Sequence, residues 1–479
     1  MTEQTSTTEP TGLQRHRWWL LGVLGVAQLM LILDVTVVAI ALPHIGEDLG
    51  LGRESLTWVV SGYTLAFGGL LLLGGRLVDL IGARRVVLTG LAVFTVASLV
   101  TGLADSGGLL LGGRVAQGIG AAMLSPAALS VVVTTFEGDE RNRALGIWSA
   151  LGGGGAALGV LLGGLLTAGP GWSWIFYVNV PIGAAVIVAV TLMLPARSQG
   201  FGGQRLDIPG AVLVIAATGT MIYALIAAGD RGWLTVGTLG LVLAAAALYA
   251  IFFGWLRRTR TPLMNVELLL RRPVASGTLM VLVATALMIA VFFLGSFYLQ
   301  HHEQYGPLRT GLLFLPVAVA TMVGANVAGR VIGRTGARTL AFVGLLVAAA
   351  GLTAPAVASD PAAVVAGVSV AGAGLGAIFV VASATALGQV APEEAGLASG
   401  IVSTFHEFGA SLGAAVTSSV AAAGITAGSL SGIQRGFTVA AITAVATAVV
   451  GLVVLPERQV PDAAPAADPV DLEEPLEQR

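Results

Sequence analysis

The chain has 479 residues, of which 56% are hydrophobic and only 10% charged, and its mean hydropathy is +0.88. A soluble globular chain runs near a quarter charged, so the bulk of this one belongs in a lipid bilayer. A formal net charge of -2 offers no basic field for a nucleic acid, and the absence of Cys excludes disulfides, thiolate metal sites and Cys nucleophiles.

Met1 to Gly12 is polar and reads as a disordered tail. Arg15, His16 and Arg17 then precede an apolar run that is too long for a signal peptide and is followed by no small-residue cleavage site, so it reads as a retained span. A spanning helix needs about 20 apolar residues. Runs of that kind predict fourteen spans, at 18–42, 56–75, 86–104, 108–132, 144–168, 174–194, 209–228, 233–256, 274–299, 310–332, 339–358, 362–387, 398–424 and 434–455. The stretch after Pro456 is acidic, rich in Ala and Pro, and reads as disordered.

All 24 basic residues are Arg, and their placement orients the chain. With the N-terminus inside, 19 Arg fall in inner segments, 4 in outer segments and Arg114 within a span. That asymmetry predicts cytoplasmic termini and supports an even span count.

The segment after span 2, GRLVDLIGAR from Gly75 to Arg84, matches GRVIGRTGAR from Gly329 to Arg338, after span 10, at five of ten positions. Two halves of six spans would repeat it after span 8, so spans 7 and 8 read as an insertion. The expected organisation is a cytoplasmic tail over 1–17, a six-span lobe over 18–194, a linker with two inserted spans over 195–273, a second six-span lobe over 274–455 and an acidic tail over 456–479. Duplicated halves around a central substrate site are a transporter architecture.

Of 26 acidic residues, only Asp34 and Glu407 fall well inside predicted spans, and Arg114 is the one base there. A charge at mid-membrane costs roughly 2.5–3.5 kcal/mol, so it faces a cavity or a partner. Asp34 lies roughly 12 Å and Arg114 roughly 9 Å below the outer surface, depths at which the two can meet. Such a carboxylate either loads and releases protons or forms a static ion pair that fixes packing. His406 and Glu407 lie roughly 14 Å from the inner face of span 13. Adjacent residues project about 100° apart, so at most one of them is expected to face a cavity, with Glu407 the stronger candidate. His301, His302 and Glu303 have the composition of a metal cluster, but they fall at the outer end of span 9 and read as a solvated loop.

These segments resemble the major facilitator superfamily, and most of all its fourteen-span drug:proton antiporter family. The resemblance is carried by LDVTVVAIALP around Asp34, GRLVDLIGARR from Gly75, LLGGRVAQGIGAA around Arg114, GAALGVLLGG from Gly155 and WSWIFYVNVPIG from Trp172. It implies a gating loop at Gly75, Leu77, Asp79, Gly82, Arg84 and Arg85, with Asp79 near a helix N-terminus or an Arg. Leu80 stands where the family has a basic residue. The span-4 motif maps onto Arg114, Gln117, Gly118 and Gly120, with Arg114 implicated in proton coupling. The antiporter motif of span 5 maps onto Gly155, Gly159, Gly163 and Gly164, with Val160 in place of a kinking Pro.

The resulting expectation is an all-α polytopic antiporter of fourteen transmembrane helices, a monomer in the cytoplasmic membrane, exporting hydrophobic or cationic drugs or antibiotics against protons. Asp34, Arg114, Glu407 and His406 are its candidate coupling and substrate residues. No cofactor, metal or nucleic acid is expected. The absence of Lys removes any Walker loop, and no polar catalytic set supports an enzyme. The alternatives are a dedicated exporter of one endogenous metabolite, a membrane-embedded enzyme, and a receptor, which would need a soluble domain that no loop provides.

Overall fold

The computed structural model describes residues 12–51, 53–194, 207–259, 262, 266–391, 394–426 and 430–456. Among them the chain forms sixteen α-helices and no strand: α1 (Gly12–Leu49), α2 (Arg53–Ile81), α3 (Ala83–Gly102), α4 (Gly107–Thr135), α5 (Gly138–Ala168), α6 (Trp174–Tyr177), α7 (Asn179–Met193), α8 (Ile208–Arg231), α9 (Val236–Leu256), α10 (Val266–Leu270), α11 (Arg272–Phe297), α12 (Pro307–Thr335), α13 (Ala337–Val357), α14 (Pro361–Leu387), α15 (Ala395–Thr426) and α16 (Leu430–Val454). Helices are the physical solution here, because lipid offers no partner to an unpaired backbone group.

Among the described residues, twelve helical stretches are long and apolar enough to cross a membrane, with α6 and α7 together making one of them. The other two expected spans, 144–168 and 398–424, fall on α5 and α15, which are 31 and 32 residues long. The first helix departs from expectation. It begins at Gly12, inside the stretch expected to be a tail, and runs to Leu49. Hydropathy marks the part of a helix that sits in lipid and not where the helix ends. The segments 1–11 and 457–479, read as disordered, lie outside the described residues.

Helix starts follow local chemistry. Asp207 accepts from the Gly210 amide at 2.9 Å to cap α8, and Asp360 accepts from the Ala363 amide at 2.9 Å to cap α14. Each is followed within two residues by Pro, which is pre-set for the first helical turn. The turns between α2 and α3 and between α12 and α13 rest on Gly82 (φ 87°) and Gly336 (φ 80°). This left-handed backbone suits Gly and strains any side chain.

The early helices share an apolar core around Leu24, Leu71, Phe94, Ala121 and Val190. The later ones share a larger core around Met280, Val291, Leu345, Ile378 and Phe437. α4 and α14 are the most enclosed of the twelve stretches, at 78% and 67% buried, and α9 the least, at 17%. α9 packs on α8, tied to it by the Thr218–Tyr249 hydrogen bond of 2.9 Å, and α8 lies against both α2 and α15. The Ile222 side chain of α8 reaches Gly68 of α2, beside Glu407. α8 and α9 therefore cover one of the two seams between the early and late helices.

At the end of the bundle that carries the first and last described residues, the two sets meet backbone to backbone. Gly75 of α2 abuts the Gly396 carbonyl and Gly400 of α15, and a Cβ at Gly329 of α12 would lie 2.9 Å from the Asn142 carbonyl of α5. Arg141 of α5 donates to the Gly388 carbonyl beyond α14 at 3.1 Å. This end is closed.

Candidate functional site

A cavity of about 250 Å³ lies between the early and late helices. Its wall is mainly apolar and aromatic, including Tyr63, Phe67, Trp148, Phe292 and Phe379. α1, α2, α4 and α5 supply one side, and α11, α14 and α15 the other. Among the described residues, Glu407 is the one acidic residue in the wall, and its side chain is 13% exposed. His406 lines the same cavity, with Nδ1 3.4 Å from Glu407 Oε1. The expectation that at most one of these two faces the cavity is therefore corrected. The apolar or polar stripe that a helix turns toward a neighbour exceeds 100° in width, and a broad cavity takes in both directions.

Asp34 does not line the cavity, although Ile32, Val35 and Thr36 do. It faces α4, is 3% exposed and forms an ion pair with Arg114, itself fully buried. The pairing expected from depth is thus present. Around it stands a polar network from five helices. Asp34 also accepts from Gln117 Nε2 at 3.0 Å and Asn179 Nδ2 at 3.3 Å. Gln117 donates to Ser98 Oγ at 2.8 Å. Arg114 donates to the Val59 carbonyl at 3.1 Å and to Gln117 Oε1 at 3.0 Å. Several donors converge on one carboxylate, which is how a charge is kept in a dry interior. Removing one partner of such a pair leaves an uncompensated buried charge, at a cost of about 3–5 kcal/mol.

The loop residues do two different jobs. Asp79, buried at the end of α2, accepts from the Gly396 and Leu397 amides at 3.0 Å each. These are free amides of the first turn of α15, where a carboxylate is favoured by hydrogen bonding and by the helix dipole. Asp79 thus bridges the early and late helices at the closed end. Arg84 donates to the Leu194 carbonyl at 2.8 Å and the Thr191 carbonyl at 3.3 Å, capping the C-terminus of α7. Arg85 is exposed. Gly82 makes the turn.

On α5, a Cβ at Gly155 would lie 2.8 Å from Ile32 Cγ2, and Gly159 abuts the Thr36 hydroxyl. This glycine face therefore presses on α1 on either side of Asp34. Gly163 is buried, and the surroundings of Val160 and Gly164 lie outside the described residues. At the far end of α11, His302 is exposed and 3.9 Å from Glu303, whose Oε1 accepts from the Tyr298 hydroxyl at 2.9 Å. The side chain of His301 lies outside the described residues.

Tyr63 was not singled out by sequence, because SGYTLAFGG is an apolar run with no charge to mark it. It lines the cavity, and the Arg114 guanidinium sits 4.4 Å from its ring centroid. Asn179 and Ser98 were also passed over. Uncharged polar residues inside a span are the one signal that would have pointed to them.

The family model described as Major Facilitator Superfamily matches residues 24–414, with a second match over 281–476. The puromycin resistance protein pur8 of Streptomyces alboniger is 36% identical over 410 residues, covering 83% of this chain and 80% of that protein. The tetracenomycin C resistance and export protein of Streptomyces glaucescens is 34% identical, covering 85% and 76%. The multidrug resistance protein Stp of Mycobacterium tuberculosis is 35% identical, covering 81% and 73%. The fold is similar to that of the human organic anion transporter MFSD10 in its crystal structure, with a TM-score of 0.68 over 94% of this chain and all of that one, at 15% identity.

Proposed function

The chain belongs to the Major Facilitator Superfamily, and on that premise we propose that it is a proton-coupled antiporter that exports hydrophobic or cationic drugs or antibiotics across the cytoplasmic membrane by alternating access. The observation that carries this reading is the pairing of a buried and a half-buried carboxylate with one cavity. Glu407 stands in the wall among aromatic rings, and Asp34 lies sealed with Arg114 directly behind that wall. The first suits a hydrophobic cation, since charge attracts charge strongly where the dielectric is low. The second suits a proton. Protonating Asp34 removes its attraction for Arg114 and frees the network that joins five helices. Inward proton flow supplies about 2.3 kcal/mol per 100 mV, plus any pH gradient.

The proposed organisation has fourteen spans, in two lobes over 18–194 and 274–455 with a linker and two inserted helices over 195–273. The arginine asymmetry supports cytoplasmic termini. In that topology the closed end is cytoplasmic, the conformation faces outward, and Asp79 latches it shut. The resistance and export names of the relatives support drug export. They also favour a second reading, a dedicated exporter of one endogenous metabolite, because some of those names specify a single compound.

Expression in an efflux-deficient bacterium, challenged with a panel of toxic compounds, tests the proposal. Resistance to several unrelated hydrophobic cations supports the first reading, and resistance to one compound supports the second. No resistance with the protein in the membrane contradicts both.

A further inference from the structure

His406 and Glu407 both line the cavity, but they are not equally open to it. The His406 side chain is 45% exposed and the Glu407 side chain 13%. The imidazole lies beside the Phe379 ring of α14, with centroids 6.1 Å apart, and its Nδ1 lies 3.4 Å from Glu407 Oε1.

The hydrogen inventory of this pair decides what it presents to a bound molecule. An ionised carboxylate only accepts, so Nδ1 carries the hydrogen and donates it to Glu407. In a neutral imidazole the other nitrogen is then an acceptor. Among the described residues, Nε2 of His406 has no hydrogen-bond partner, and it is not one of the buried unpaired atoms, so it is accessible within the cavity wall. Nε2 lies on the far edge of the ring from the carboxylate. The pair therefore offers two separate contacts: a negative charge at Glu407 and a neutral acceptor across the imidazole from it.

We infer that His406 is a specificity-determining residue of this transporter: while Glu407 holds the positive charge of the bound molecule, Nε2 of His406 accepts a hydrogen bond from a hydroxyl or amide N–H elsewhere on that molecule. This rests on the cation reading of Glu407 above. It narrows the substrate class to hydrophobic cations that carry a neutral hydrogen-bond donor set apart from the charge. One ammonium group does not satisfy both residues, because the acceptor edge of the ring is turned away from the carboxylate.

The test uses the purified full chain in detergent at about pH 8.5, above the range in which histidine ordinarily titrates. Two triphenylphosphonium probes share one charge and one aromatic head. The ω-hydroxyhexyl probe carries a hydrogen-bond donor, and the ω-methoxyhexyl probe carries only an acceptor. Dissociation constants are measured for both, and the preference is read as their ratio, so that a general change in affinity cancels. The unsubstituted protein is expected to bind the hydroxyl probe about 2- to 12-fold more tightly, the range for one hydrogen bond. His406→Phe keeps a ring without an acceptor and is expected to bind both probes with the preference erased. His406→Ala is a second acceptor-free variant with the same expectation. Glu407→Gln is expected to weaken both probes and to keep the preference.

Equal affinities for the two probes in the unsubstituted protein overturn the inference, and so does a preference that survives in His406→Phe or His406→Ala. Unchanged binding of both probes by Glu407→Gln overturns the cation reading of that residue alone, because the ratio of the two constants still decides the role of His406. Failure of the unsubstituted protein to bind either probe overturns both.

Discussion

The turn between α2 and α3 and the turn between α12 and α13 are built from the same repeat, and they differ at one chemically decisive position. Gly82 and Gly336 adopt the same left-handed backbone, with φ of 87° and 80°. Arg84 caps the C-terminus of α7 through the Leu194 carbonyl at 2.8 Å, and Arg338 caps the end of α16 through the Leu455 carbonyl at 3.0 and 3.2 Å. Gly75 and Gly329 each bring two backbones together across a seam. Asp79, however, has Gly333 as its counterpart. The first grips two amides of α15, and the second abuts the Asp139 carboxylate of α5, where a Cβ would lie 2.7 Å from Oδ1. The residues shared by both turns build the fold, and the unshared carboxylate latches one seam only.

The same contrast extends to the outside of the bundle. The seam latched by Asp79 is the one covered by α8, whereas among the described residues neither α8 nor α9 packs closely on α5 or α12. Latch and cover coincide on one side.

Six substitutions break or sharpen this comparison, in decreasing order of expected effect. Gly75→Val forces side-chain atoms into the Gly396 carbonyl, and overpacking of that kind costs about 1–3 kcal/mol. It is expected to cut export about tenfold or more, measured as dye efflux from cells at matched protein level. Gly329→Val, with slightly more room, is expected to cut it less. Asp79→Ala removes two charge-assisted hydrogen bonds, each worth about 1.5–3 kcal/mol. A net loss of about 2 kcal/mol would shift the closed-to-open ratio at this end roughly 30-fold. Labelling of a Cys placed in the α2–α15 seam should report that shift, and labelling in the α5–α12 seam should change less.

Gly333→Asp supplies the missing carboxylate of the second turn but sets it against Asp139. It should loosen the α5–α12 seam through like-charge repulsion of about 1 kcal/mol or more, and Asp139→Asn should restore it. Arg84→Ala and Arg338→Ala should be the mildest and the most alike. Each should lower thermal stability by a loss of about 1–2 kcal/mol, with the proton-to-drug ratio unchanged, because both remove a helix-end cap and no coupling group.

These pairs also show what the chain order of residues reveals. Depth along a span brought Asp34 and Arg114 together, because a helix rises evenly and a buried charge demands a partner. The repeat was legible from matching residues, while Asp79 was expected near a helix N-terminus or an Arg only through the family's loop motif, and it lies at the start of α15. Projection angles on α15 were a poorer guide, since the width of the cavity decides how many neighbours face it. Tyr63 escaped notice because hydropathy reads its ring and overlooks its hydroxyl. The seat of α8 over the α2–α15 seam was invisible because an apolar run says that a helix crosses and is silent on its neighbours.

The proton site proposed at Asp34 is tested most directly by adding a cationic dye to the detergent-purified protein in weak buffer and recording proton release, with and without Asp34→Asn. In the drug-free protein Asp34 is expected to take up a proton with the ion pair open, and to give that proton up as the cavity fills and the Arg114, Gln117 and Asn179 network closes around the carboxylate. Asp34→Asn, which keeps the shape and loses the titrating oxygen, should bind the dye and release no proton. Unchanged release from a folded Asp34→Asn protein would contradict the assignment of Asp34 as the coupling carboxylate.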